Sequence, residues 1–593
     1  MKKPLAFFSV ALCFGCLSSL VCISNFVLGA VIAASFLALI IITIDKNYFA
    51  QVSGFFFIGM ISIVLYFNFG IYNSNLYDVR IINKSQYYTV GSYKNRKILL
   101  IGDLKKVKEG QKLVIEGEFT REYNFSKGIV GSINIMKYKL QNDDLITKIY
   151  SFKINLYNKF KNYLSKDKAS LVMAMCFGDT RNLDSQQKDD FQKMGVIHAI
   201  SVSGFHLAVV YAVFEKLIGI YPSLAVSFLY VIFTGNQPST IRAFLMIFFV
   251  KFSKKIYKTY DSISSIALSA IIILIVKPYY ILDIGFQLSY LSTLSILLFN
   301  KEITKKLLFL PTKINESVSI SLSSQILSMP CAVFSIKNIS TGFLIGNIVL
   351  LPLYTCIVLI GNLALVFSSI DILFIFCNKI LNVVLTSIDG ATSILLGICP
   401  PIVYFNKQDA WTIVFFILSL ILYKNGAKRC KYIPLILIVF ILIHNYCFLP
   451  QITYVNSGKS DSIVIKYKNS TYLITDEPSG KNLNNYKKEF KTTEILSARD
   501  GKNRFRLGDN YEIIVSMSDY YKDKLKSMKV EVIYKNKNIL FTRDNDFPVA
   551  EMNNKKNYDI IIIPKDNKIA PLDFNVENTY SYNIFLGRVL NLN

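Results

Sequence analysis

Apolar residues arrive in blocks of roughly 20, and that spacing constrains the fold more than any other feature of the chain. Residues 4–22, 26–44 and 52–72 are nearly uncharged, and similar runs recur from about 196 to 449. A helix of that length crosses about 30 Å of hydrocarbon. The 593 residues are 52% hydrophobic and only 18% charged, which argues against an ordinary multi-domain soluble chain. Lys2 and Lys3 precede the first run in the manner of a secretion signal. Two further apolar runs follow at once, so the first is read as a retained span.

Charge then divides the chain. Residues 1–72 are read as three spans, 73–145 as a polar external domain, 146–449 as the membrane core, and 450–593 as a second polar domain. Basic loops mark the cytoplasmic side. They include Lys251, Lys254 and Lys255, then Lys301, Lys305 and Lys306, then Lys424, Lys428 and Arg429. About thirteen spans place all three loops inside and both polar domains outside. The formal net charge of +26 fits this loop bias, and equally fits an anionic cargo or anionic lipid. Of the ten cysteines, none falls within 73–145 or 450–593, so neither polar domain is held by a disulfide or a thiolate metal site.

The first polar domain contains "KILLIGDL", "KLVIEGEFT" and "GIVGSINIMKYKL", β-rich runs separated by glycine and charged turns. They predict a small β-barrel, for which an oligonucleotide-binding (OB-like) type is one form. From 148 to 165, Ile149, Phe152, Leu156, Phe160 and Leu164 recur at steps of three or four, with lysines on the remaining arc. That pattern predicts an amphipathic helix, lying in the membrane interface or packed on the barrel.

Three polar knots interrupt the core. The first, within 174–206, holds His198, Ser201, Ser203, Gly204 and His206 just before an apolar run. The second, "GNQPSTIRAFLM", carries Pro238 and Arg242. The third, "LDIGFQLSYLST", carries Asp283, Gly285, Gln287 and Ser289. Polar groups at membrane depth are costly unless paired or facing a wet cavity. Three knots in succession point to a polar path, with Arg242 and Asp283 expected to pair across it. Ser203, His206 and Asp283 would also serve as nucleophile, base and orienting acid, but neither G-x-S-x-G nor H-E-x-x-H is present.

These knots resemble the core of the ComEC competence proteins. The family's Gly-Asp step, helix and His/Ser-Gly/His run matches Gly178, Asp179, Gly195, His198, Ser203, Gly204 and His206. Its Pro-x-x-x-Arg-Ala segment matches Pro238, Arg242, Ala243 and Met246, and its Gly-Phe-Gln-Leu-Ser segment matches residues 285–289. The resemblance spans roughly residues 30–400 and implies a bacterial inner-membrane channel for single-stranded DNA. His198, Ser203, Gly204, His206, Arg242, Asp283, Gln287 and Ser289 would line the DNA pathway, with Arg242 meeting phosphate. Gly178, Asp179, Gly195, Pro238 and Gly285 would be structural. Membrane lipids, a DNA receptor and a separate cytoplasmic ATPase or single-strand-binding machinery are the implied partners. The chain has no G-x-x-x-x-G-K-[ST] motor motif.

Many family members end in a metallo-β-lactamase-like α/β domain opening with Asp-Val-Gly-Gln-Gly-Asp-Ser. Here "NSGKSDS", residues 456–462, keeps Gly458, Asp461 and Ser462 but has Asn456 and Ser460 where Asp and Gly are expected. Asp476 in "YLITDEPSG" matches the strand that follows. No histidine follows His444, so a degenerate domain is expected, without metal, cofactor or catalytic residues. A membrane enzyme acting on a lipid or glycan and a decayed, inactive family member remain as alternative readings.

Overall fold

The computed structural model describes residues 3–71, 74, 76–84, 88–105, 107–200, 203–255, 260–400, 402–405, 407–424 and 426–456. Beyond these it describes 461–475, 490–492, 494–497, 503–507, 511–517, 528–535, 537–541, 560–562, 579–585 and 588–591. Two compact units result, one formed by 1–331 with 340–402, the other by 332–339 with 403–593.

The first unit opens with three apolar helices, α1 (Pro4–Ser24), α2 (Phe26–Thr43) and α3 (Lys46–Asn68). Pro4 suits a first helical turn, whose amides need no internal partner. Asn25 caps α2, accepting from the Leu28 amide at 3.2 Å. α1 and α3 cross closely at two glycines. A Cβ on Gly15 would stand 2.0 Å from Phe56 O, and one on Gly59 2.3 Å from Leu12 O. In lipid, where apolar side chains gain nothing by clustering, such small-residue crossings hold helices together. Nearly all of α2 is exposed and apolar, a face suited to lipid.

A five-stranded barrel follows: β1 (Leu76–Lys84), β2 (Thr89–Tyr93), β3 (Arg96–Ile101), β4 (Lys112–Thr120) and β5 (Ile129–Leu140). It closes in the order β1-β2-β3-β5-β4, with β3 and β5 parallel. Its inner residues include Tyr77, Val79, Ile81, Ile98, Leu113 and Ile133. They belong to the same buried cluster as Leu12 and Ile63 of the first helices, so the barrel is fused to the membrane part. Polar ties reinforce the joint: Tyr66 OH donates to Gly128 O at 2.9 Å, and Arg96 donates to Leu65 O and Tyr66 O.

The core helices are α4 (Leu145–Lys161), α5 (Lys166–Phe177), α6 (Ser185–Lys193), α7 (Gly204–Ile218), α8 (Ile220–Phe233) and α9 (Pro238–Lys255). Next come α10 (Ser262–Val276), α11 (Ile284–Lys306), α12 (Thr312–Ile336), α13 (Phe343–Val366) and α14 (Asp371–Ile398). Among the described residues six helices are long and apolar enough to cross a membrane: α1, α2, α3, α12, α13 and α14. The apolar run 207–233 is divided at Gly219, whose φ of 82° breaks it into the shorter α7 and α8. The length rule therefore passes over both.

α4 is fastened to the barrel by its own cap. Asp144 accepts from the Thr147 amide at 3.0 Å and from Arg80 Nη1 at 2.9 Å. The Arg80 guanidinium holds the Asp144 carboxyl well below the usual carboxylate range. A carboxylate depressed in the fold contributes stability that is fully present above its ordinary value near ~3.9 and fades as pH falls towards the folded value. Acidification below about pH 4 should therefore loosen α4 from β1. Hydrogen exchange of the α4 amides checks this. Exchange should rise between about pH 4 and pH 2, relative to the intrinsic rate, in the native chain but not in Asp144→Asn.

The second unit holds a two-residue pair, β6 (Asn338–Ile339) with β7 (Val403–Tyr404), and two apolar helices, α15 (Lys407–Lys424) and α16 (Ile433–Asn445). Two sheets follow. One has the order β11-β10-β9-β8-β17-β18, from β8 (Cys447–Asn456), β9 (Asp461–Lys468), β10 (Ser470–Thr475), β11 (Glu494–Ser497), β17 (Thr579–Phe585) and β18 (Arg588–Asn591). The other runs β12 (Asn503–Leu507), β13 (Tyr511–Met517), β14 (Met528–Tyr534), β15 (Lys537–Phe541) and β16 (Ile560–Ile562) in sequence order. They share a core in which Ile452, Ile463 and Ile465 meet Ile513, Val532 and Phe541. Asn456, the last residue of β8, pairs in backbone register with Asp461, the first of β9. Gly458 and Asp476 lie outside the described residues.

Candidate functional site

The three polar knots meet at Arg242. It lies in the first turns of α9, which starts at Pro238 after a turn in which Asn236 and Gly235 both take positive φ. Arg242 Nη1 donates to Ser289 O, in α11, at 2.8 Å. The guanidinium stands over the Tyr290 ring, 5.9 Å from its centroid, and Tyr290 OH lies 2.9 Å from Ser269 Oγ of α10. A Cβ on Gly204 would fall 3.0 Å from both Arg242 Nη2 and Ala243 Cβ. Glycine at the start of α7 thus makes room for the guanidinium. Arg242 Nε is buried and has no hydrogen-bond partner. A planar cation held at one end and lying over an aromatic ring has the charge and donor geometry that phosphate and carboxylate oxygens accept from.

The other expected residues take simpler places. His206 is buried, and its Nδ1 accepts from the Ser203 amide at 3.2 Å, so α7 starts with a capping box in which histidine takes the usual glutamate's role. A neutral ring accepting at Nδ1 carries its proton on Nε2. His198 is exposed on a short 3₁₀ turn, and Ser201 lies outside the described residues. Asp283 caps α11 through the Phe286 amide at 2.8 Å, and Gly285, in the first turn, is exposed. Among the described residues no ion pair joins Asp283 to Arg242; a backbone carbonyl takes the place expected for the carboxylate. Nor is a nucleophile–base pair assembled, since His206 Nδ1 and the Asp283 carboxylate are both engaged by backbone amides. Gln287 donates to Ile281 O at 2.8 Å and accepts from Cys331 Sγ at 3.1 Å, so it ties α11 to its neighbours and makes no hydrogen bond to Arg242 among the described residues.

Gly178, with φ 69°, ends α5, and its amide reaches Ala174 O at 3.1 Å. The chain then turns so that Asp179 is buried and gripped by Arg181 through Nε at 2.7 Å and through Nη2. Burial alone would raise the Asp179 carboxyl, but the guanidinium holds it below its ordinary value. Arg181 also donates to Glu109, in the loop before β4, at 2.8 Å. Gly-Asp therefore joins the barrel to the core rather than facing the Arg242 site. Gly195, with φ 73°, lies where a Cβ would come within 2.6 Å of the Phe343 backbone at the start of α13.

Tyr290 and Ser269 support the Arg242 site, and the Glu109–Arg181 pair the joint between barrel and core, yet none of these roles was legible beforehand. Tyr290 is next to a motif residue and Arg181 lies in the first knot, but neither partner can be read from spacing. Among the described residues no group of three or more His, Cys, Asp or Glu is arranged to hold a metal ion.

Residues 175–426 match the protein-family model described as Competence protein. Over that stretch the resemblance to ComEC-type proteins is shown, and all three knots fall within it. ComE operon protein 3 of Bacillus subtilis (strain 168) is 26% identical over 257 residues, 40% of this chain and 33% of that protein. An uncharacterized protein of Aquifex aeolicus (strain VF5) is 27% identical over 154 residues, 25% of this chain and 37% of that protein. The matched segments thus span about a third of either relative's length. No solved structure matches.

Proposed function

We propose that this chain passes DNA as a single strand across a bacterial inner membrane during DNA uptake. The observation that carries the reading is the meeting of three motifs at Arg242, a stacked, partly engaged guanidinium within a stretch that matches the Competence protein family. Such a cation would hold one backbone phosphate at a time without reading sequence. Ser203, Gly204 and His206 on one side and Ser289 on the other would shape the passage. Gln287 and Asp283 would keep α11 in place, and His198 would lie at its mouth.

The barrel supports the same reading. Its closed order, with β3 and β5 parallel, is compatible with an OB-type barrel that receives the strand outside the membrane. In this topology about thirteen spans place both polar domains outside. The two-sheet C-terminal unit would be a metallo-β-lactamase-like domain that has lost its metal ligands. A receptor outside and a separate ATPase or single-strand-binding protein inside would supply capture and pulling.

Expression in bacteria lacking their own uptake channel but retaining the accessory machinery tests this. Labelled DNA that survives external nuclease should appear only in cells carrying the chain. Equal protected label with and without it, while ComE operon protein 3 works in the same cells, would overturn the reading.

A further inference from the structure

Two lysines meet where the barrel rests on the core. Ile98 and Leu100 of β3 point into the barrel, so Lys97 beside them points out. On the core side Lys277 ends α10, because Pro278 cannot continue the helix. Pro278 instead starts a short 3₁₀ turn, Pro278–Leu282, that leads to Asp283 and α11. The Lys97 ammonium stands 4.7 Å from the ring centroid of Tyr279, and the Lys277 ammonium 5.2 Å from that of Tyr280. The two rings pack edge to face at 4.9 Å. The barrel lies directly on Tyr279, since a Cβ on Gly128 would fall 2.4 Å from its ring.

An aromatic ring attracts a positive charge but does not neutralise it. Lys97 Nζ donates to Lys127 O at 3.3 Å, and Lys277 Nζ to Tyr280 OH at 3.2 Å. Each ammonium has three protons to donate, and among the described residues no ion pair engages either. Burial and the Lys277 charge push the Lys97 ammonium below its usual value, while Asp283 pulls it back. That acid is already engaged, its carboxylate accepting from the Phe286 amide at 2.8 Å. Both lysines are half-buried, so the two like charges cost free energy until an anion comes to them.

The pair stands next to the elements that carry Arg242. Tyr280 OH donates to Asn236 O, in the turn before α9, at 3.5 Å, and Asp283 starts α11. Ser289 O, which Arg242 holds, lies about 9 Å further along α11. The chain of contacts therefore runs from the barrel through the lysine pair to Arg242. Its chemistry suits backbone and not base. Ammonium groups act as point charges toward phosphate. Tyr279 and Tyr280, 4% and 7% exposed, leave no open face on which a base could stack.

Resting on the channel reading above, we propose that Lys97 and Lys277 together bind a backbone phosphate of the single strand and pass it from the barrel to Arg242.

The full chain, purified into nanodiscs of phosphatidylcholine, is titrated with a fluorescent oligothymidylate at increasing salt. Each ammonium that meets a phosphate adds about 0.7 to the slope of log affinity against log salt for a single strand. Lys97→Gln and Lys277→Gln should each make the slope shallower by about 0.7, and the double variant by about 1.4. Arginine at both positions should keep the native slope, and so should Lys139→Gln, which alters an exposed lysine of β5. In cells the double glutamine variant should take up roughly tenfold less nuclease-protected DNA. A native slope in that variant, with uptake retained, would overturn the proposal and leave the channel reading standing. So would a variant that binds the oligonucleotide normally but no longer gains thermal stability from added phosphatidylglycerol, since the pair would then hold a lipid headgroup. A folded native chain that binds no oligonucleotide would remove both.

Discussion

Arg242→Glu should bring nuclease-protected DNA, counted per chain present in the membrane, down to background, and Arg242→Lys should leave a reduced but measurable fraction. The guanidinium does three things at once: Nη1 holds Ser289 O, the plane lies over Tyr290, and Nε is buried with no hydrogen-bond partner. Lysine keeps the charge but, as a compact ammonium without a fork, cannot hold the carbonyl, lie flat on the ring and meet a phosphate together. Losing the stack and one donor is worth about 1–2 kcal/mol, or roughly tenfold or more in occupancy. Glutamate is worse on every count. Its carboxylate would face the Ser289 carbonyl with no donor and would repel each phosphate. Leaving a charge so placed costs about 3–5 kcal/mol, more than a hundredfold in occupancy. Tyr290→Phe separates the two roles of its partner, keeping the ring under Arg242 while cutting the link to Ser269 Oγ. It should resemble the native chain more than Arg242→Lys does. Native-level uptake by Arg242→Glu would remove Arg242 from the pathway.

What could be read beforehand follows from which forces are local. The first three apolar blocks became α1, α2 and α3 because roughly 20 residues without charge have few other stable fates. The quoted β-rich runs became β3, β4 and β5, since alternation and turn residues act over a few positions. β2, the short segment TVGSY closed by positive-φ Lys94 and Asn95, carries little alternation and took its place by pairing with β1 and β3. Arg242 stood out from its surroundings alone, because a cation in an apolar segment needs a reason. Its partner did not, because a backbone carbonyl leaves no mark in a sequence. The hydrogen bonds of α12 were missed for a related reason: scattered serines in an apolar helix lower its hydropathy only slightly, and their partners, Ser295 of α11 and Asn347 of α13, cannot be read from spacing.

Gly195→Ala should destabilise the core by about 2–4 kcal/mol, a large part of what holds a domain folded. Two independent effects add at this position. The residue has φ 73°, where a side chain costs about 1–2 kcal/mol. The new methyl would also fall 2.5–2.6 Å from Phe343 Cβ and Cα, and the backbone there cannot yield because α13 begins at that point. The next contact is as tight, since a Cβ on Gly346 would stand 2.3 Å from Met194 O. Gly195 and Gly346 thus let the turn after α6 lie directly on the start of α13. That contact fixes the stretch leading to His198 and the α7 cap, so its loss should spread to the Arg242 site. In detergent the melting temperature should fall by several degrees, and membrane abundance should drop several-fold. Gly390→Ala in α14 is the matched control. A Cβ there meets nothing within 4 Å, and alanine is the better helix former, so that variant should melt at or slightly above the native temperature. Equal melting of the two variants would show that the turn after α6 is not held against α13 as described.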